Sequence, residues 1–87
     1  MYNTKTIKVI AVYDNGGKTL DRYTIVVNQR RRERIGYKWF YDCIGSSENG
    51  KGVFTWSECI LGKHLGAKIK LEDLSKELQE KIQNALS

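Results

Sequence analysis

The chain has 87 residues, of which 40% are hydrophobic and 29% charged, and a formal net charge of +5. That length holds one modest core, and that composition is too apolar for intrinsic disorder. No apolar run nears the roughly 20 residues that span a bilayer, and Met1 to Lys5 leads into an alternating pattern instead of a signal-peptide core, so one cytosolic domain over residues 1–87 is expected.

Ile7, Val9, Ala11 and Tyr13 alternate with Lys8, Ile10, Val12 and Asp14, a period of two that predicts a strand with apolar surroundings on both faces. Asp14-Asn15-Gly16-Gly17 offers the positive φ angles of a hairpin turn, so Lys18 to Asn28 should return antiparallel beside it. On that second strand Tyr23, Ile25 and Val27 share one face, and Arg22, Thr24 and Val26 the other. The run Arg30-Arg31-Arg32-Glu33-Arg34-Ile35 has no hydrophobic period and is placed in a loop or at a fraying strand end.

A third strand follows, with Tyr37, Trp39, Tyr41 and Cys43 on one side and Lys38, Phe40, Asp42 and Ile44 on the other. Gly45 to Gly52 is turn chemistry throughout and reads as a flexible surface loop before a strand-like run from Val53 to Ile60. Gly62 and Gly66 bracket Lys63-His64-Leu65, and Ala67 to Leu71 forms a last strand or a bridge to a helix.

Leu71, Leu74, Leu78, Ile82, Ala85 and Leu86 recur at helical spacing and line one stripe, with Ser75 or Asp73 as cap and Glu77 with Lys81 as an i,i+4 pair. A helix this short is marginal in isolation, so the stripe must lie on the sheet or form the seam of a homodimer. The fold expected is α+β: about four to five antiparallel strands, curled into a sheet or half-barrel, packed by one C-terminal amphipathic helix.

The residues form no catalytic constellation. Cys43 and Cys59 read as reduced core thiols; with His64 they lack the spacing of a zinc site, and the Gly45–Gly52 loop lacks the Lys-Ser/Thr ending of a phosphate-binding loop. A protein without enzymatic activity, cofactor or metal is therefore expected. Charge is uneven: residues 1–70 carry 13 Lys or Arg against 6 Asp or Glu, and residues 71–87 carry 2 against 4. Arg22, Arg30, Arg31, Arg32, Arg34 and Lys38 would contact phosphates, and Tyr37 or Trp39, with Tyr23 and Tyr41 near them, would stack on bases. Nucleic acid is the partner this predicts.

Three stretches carry a resemblance. Asp21 to Val27, with its Arg22-Tyr23-Thr24-Ile25-Val26-Val27 strand, the Gly45-Ser46-Ser47-Glu48-Asn49 loop, and the segment from Gly62 through His64-Leu65-Gly66 and Ile69 to Asp73-Leu74 occur in this order. In this the chain resembles a group of small proteins of phages, plasmids and other mobile elements; the proline that tends to follow the loop asparagine in that group is absent here, where Gly50 follows Asn49. The resemblance implies a genomic setting more than an activity, and implies that Gly62, His64 and Gly66 form a structural turn in which the histidine satisfies a backbone group. Two jobs suit such a setting: a nucleic-acid-binding accessory protein, or an inhibitor directed at a host protein, such as an anti-CRISPR-like or anti-restriction binder. A structural or assembly subunit is the third.

Overall fold

The alternating stretches of the first 60 residues do build a sheet, and the periodic C-terminus does build a helix. The computed structural model describes residues 7–35 and 38–87, with side chains described for 7–29 and 39–87. Its strands are β1 (Val9–Asp14), β2 (Tyr23–Ile35), β3 (Lys38–Ser46), β4 (Phe54–Ile60) and β5 (Ala67–Ile69), followed by the helix α1 (Lys76–Leu86). All paired neighbours are antiparallel, in the order β4-β3-β2-β1-β5. Among the described residues the sheet is open, with β4 and β5 at its two edges, and the expected α+β class holds.

One residue resets the pattern of β1. Val9 pairs with Val27 but Ala11 pairs with Val26, so the strand bulges at Ile10, which is 44% exposed. The bulge puts Val9 and Val12 with the same core cluster, whereas strict alternation puts them on opposite faces. The expected second strand also starts late. Residues 15–22 meet their own needs: Asn15 Oδ1 accepts from the amides of Gly17 and Lys18 at 2.8 and 3.0 Å, and the Asn15 amide donates to the Arg22 carbonyl at 3.0 Å. Ladder pairing therefore begins at Tyr23.

Two layers of side chains cover the sheet. On one face Val12, Ile25 and Ile44 pack with Leu74, Leu78 and Ile82, flanked by Leu71, Ala85 and Leu86. The whole apolar stripe read from the sequence is thus applied to the sheet. On the other face Ala11, Tyr13, Val26, Cys43 and Cys59 form a second cluster, flanked by Tyr41, Leu61 and Leu65. The segment between Ile60 and β5 supplies two of these flanking residues, and a 3-10 turn over Lys63–Leu65 holds it in place.

The helix begins where the sequence marks it. Ser75 Oγ accepts from the Leu78 amide at 3.2 Å and caps α1, while Asp73 closes the preceding 3-10 turn by accepting from the Lys70 amide at 3.0 Å. Lys81 does not pair with Glu77 as expected. Its Nζ donates to the Gly50 carbonyl and lies 4.8 Å from the centroid of the Phe54 ring, because that side of the helix rests on the loop between β3 and β4.

That loop departs from expectation too. Ser47 Oγ accepts from the amides of Gly52 and Val53 at 3.1 and 3.2 Å, and the Ser47 amide donates to the Val53 carbonyl at 2.8 Å. Gly50 is buried at φ 74°, where an added Cβ would meet Leu78 Cδ1 at 3.0 Å. The loop is thus hydrogen-bonded within itself and to the helix, and Gly45 and Ser46, expected in it, belong to β3.

Candidate nucleic-acid interface

The arginine run lies in a strand. β2 extends through Ile35, with Arg30 opposite Tyr41, Arg34 opposite Trp39 and Ile35 opposite Lys38 in its ladder with β3. The run was expected in a loop or at a fraying strand end because it has no hydrophobic period; pairing with the aromatic strand places it in the sheet nonetheless. The ladder pays for this in regularity, since its register shifts between Val26 and Arg30 and again between Arg30 and Arg34. Shifts of this kind bend a strand and increase its twist.

The neighbouring strands fall short of this end of the pair. β1 is in register with β2 only from Tyr23 to Val27, and β4 with β3 only from Phe40 to Ser46. Among the described residues, then, the stretch where Arg34 meets Trp39 is a two-stranded ribbon running beyond the body of the sheet. It joins the densest positive charge of the sequence to part of its aromatic run. Of the residues singled out from the sequence, Arg30, Arg31, Arg32, Arg34 and Lys38 belong to this ribbon by their backbone, and Tyr37 lies outside the described residues.

The aromatic rings are divided between two jobs. Trp39 and Tyr41 are half-buried on β3, Tyr41 at the margin of the second core cluster. Tyr23 packs against the first cluster, at the far end of β2 from the run.

Arg22 is at that far end too, so the structure does not bring it together with Arg30 to Arg34. Its Nε and Nη2 donate to Asp14 Oδ1 and Oδ2 at 2.8 and 3.0 Å, a bidentate pair, and Nη1 reaches Glu48 Oε1 at 3.3 Å. The guanidinium carbon lies 5.2 Å from the centroid of the Tyr23 ring. The hydrogen bonds from Arg22 hold the Asp14 carboxyl below its usual range against the opposing effect of burial, and the Gly16 amide assists. This arginine ties β1, β2 and the β3–β4 loop together. Sequence spacing gave no sign of that, because Asp14 and Glu48 become its neighbours only once the hairpin and loop have formed.

Beside this cluster a cleft of about 430 Å³ opens between residues 17–22 and 47–52, with Leu20, Arg22, Glu48 and Lys51 in its wall. The ion pairs already engage its arginine.

Cys43 and Cys59 are free and buried, on neighbouring strands at diagonal ladder positions: Cys43 pairs with Ser57, and Cys59 with Tyr41. A hydrogen bond between the two thiols, and then burial, push Cys43 upward, so it stays protonated. His64 is exposed and makes no hydrogen bond among the described residues, so the turn does not use it to satisfy a backbone group as expected. The turn needs its glycines for space: a Cβ on Gly66 would overlap the Asp14 carbonyl, and one on Gly62 would meet His64 Nδ1 at 2.9 Å. Among the described residues no three His, Cys, Asp or Glu side chains gather as a metal site, and no helix is long and apolar enough to cross a membrane.

Comparison with protein-family models, with curated proteins and with solved structures finds no match to this chain.

Proposed function

We infer that the protein is a non-catalytic nucleic-acid-binding protein whose contact element is the β2–β3 ribbon. One observation carries this reading: the ladder sets Arg34 across from Trp39 where neither β1 nor β4 flanks the pair, and Arg30 across from Tyr41 just inside it, where β4 still flanks β3 but β1 no longer flanks β2. Arginines suit phosphate oxygens because the guanidinium donates in a fork, and ring side chains on the adjoining strand suit the faces of unstacked bases. A two-stranded ribbon also matches the width of a B-DNA major groove, which admits such an element. The contacting set is Arg30, Arg31, Arg32, Arg34 and Lys38, with Trp39 or Tyr37 for stacking; Arg22 serves the fold.

Fluorescence anisotropy with labelled single-stranded and duplex oligonucleotides at two salt concentrations tests this. Wild type should bind and weaken steeply with salt. Changing Arg30, Arg31, Arg32 and Arg34 together to Ala should remove most affinity and lower the duplex salt slope by about 3–4, since each phosphate contact contributes roughly 0.9. Absence of binding at low salt in the folded wild type sinks the reading, as does an undiminished affinity in the variant.

A further inference from the structure

The two edges of the sheet are unequal. β5 is three residues long, whereas β4 runs for seven, in unbroken register with β3 from Ser46↔Phe54 to Phe40↔Ile60. Its central residues Thr55, Trp56, Ser57 and Glu58 are all exposed, Trp56 by 49%. Natural edges are protected by shortness, charged side chains, proline or a bulge; β4 is long, unbulged and free of lysine and proline, and Glu58 is its single charge.

Backbone direction follows from one hydrogen bond. The Val53 carbonyl accepts from the Ser47 amide at 2.8 Å, so Val53 and the odd positions after it turn their backbone groups toward β3. Phe54, Trp56, Glu58 and Ile60 turn theirs outward.

We propose that β4 is a self-complementary edge on which a second copy of the chain pairs antiparallel, across a two-fold axis at Ser57, to make a continuous ten-stranded sheet. Ladder chemistry requires outward-turned residues to meet outward-turned residues, which limits central axes to Trp56, Ser57 or Glu58. An axis at Ser57 is the one that overlaps all of Phe54–Ile60. It sets Phe54 opposite Ile60 of the second copy and Trp56 opposite Glu58 of the second copy. An axis at Glu58 would set two carboxylates face to face, and one at Trp56 would shorten the ladder by two residues. The pairing is isologous, as a closed dimer requires.

Sedimentation velocity across a dilution series tests the assembly, with circular dichroism to confirm that each variant is folded. Wild type should show a concentration-dependent dimer of the 10.0 kDa chain. Glu58→Pro removes an amide that faces outward and leaves the β3 ladder whole, so it should give a folded monomer. Register is tested by charge: Trp56→Glu, set against Glu58 of the second copy, should dissociate the dimer at least tenfold more readily than Trp56→Lys, set against the same carboxylate. A wild type that stays monomeric at every concentration overturns the proposal, including the case in which β4 instead accepts a strand from another protein. So does a dimer that persists in folded Glu58→Pro, or equal dissociation of the two Trp56 variants.

Discussion

Gly66 lies with its Cα against the backbone carbonyl of Asp14, so closely that a methyl group on it would overlap that carbonyl and the Cα of Asn15. Its φ of 110° and ψ of −160° also belong to a region that only glycine adopts readily. Gly66→Ala should therefore cost about 2–4 kcal/mol, from strain and from displacement of β5 away from β1, and lower Tm by at least about 10 °C. Gly52→Ala is the control, because its added Cβ would meet Ser47 only at ordinary contact distance, 3.6 Å from Oγ. It should stay within about 0.5 kcal/mol of wild type.

The pair between Asp14 and Arg22 makes stability depend on acid in a stated direction. Asp14 has a folded-state pKa depressed below 3.8, so its contribution is present above the unfolded value and is lost as pH falls through the folded value. Thermal melts of wild type and Asp14→Asn from neutral pH downward should differ most above the unfolded carboxylate value of about 3.9 and converge only as pH falls through the lower folded-state value. A gap that stays constant to the lowest pH would refute the ionic origin of this contribution.

The helix offers two graded probes. Leu78 is fully buried between α1 and the sheet, and Leu78→Ala should cost about 3 kcal/mol, read as a fall in denaturation midpoint at unchanged m-value. Ser75→Ala removes the oxygen that accepts from the Leu78 amide and should cost about 1 kcal/mol. If the two cost the same, the stripe is not the principal anchor of the helix.

Thiol access is equally direct. Cys43 is 3% exposed and Cys59 8%, so a disulfide-forming dye should titrate neither in the native protein at neutral pH and both after denaturation in urea. Rapid reaction of one thiol in the native state would show that the segment carrying Leu61 and Leu65 opens readily from the second cluster.

Much of this fold was legible because the apolar spacings have one interpretation each. The stripe from Leu71 to Leu86 has helical spacing and every member of it packs with the core under the sheet, although Leu71 and Leu74 do so from a 3-10 turn and its extended cap, before α1 begins at Lys76. The faces of β3 follow its alternation, with Cys43 in one cluster and Ile44 in the other. What escaped the sequence depends on partners distant along the chain. Nothing local marks Ile10 as a bulge, since it arises from register against Val26 and Val27. Arg22 resembles any other basic residue until Asp14 and Glu48 arrive beside it. The arginine run has the composition of a loop, and its strand state comes from β3, not from itself.

Ile25, Val26 and Val27 are each fully buried, and alternate side chains of this stretch serve opposite core clusters, Ile25 the helix side and Val26 the thiol side. Both layers thus hang on the same few peptide units. Peeling away either one bares the same central hydrogen bonds, so the sheet has no half-dressed form in which one face rests intact while the other is open to water. The protein should therefore melt as a unit, with the amides of this short stretch among the slowest to trade their protons for deuterium.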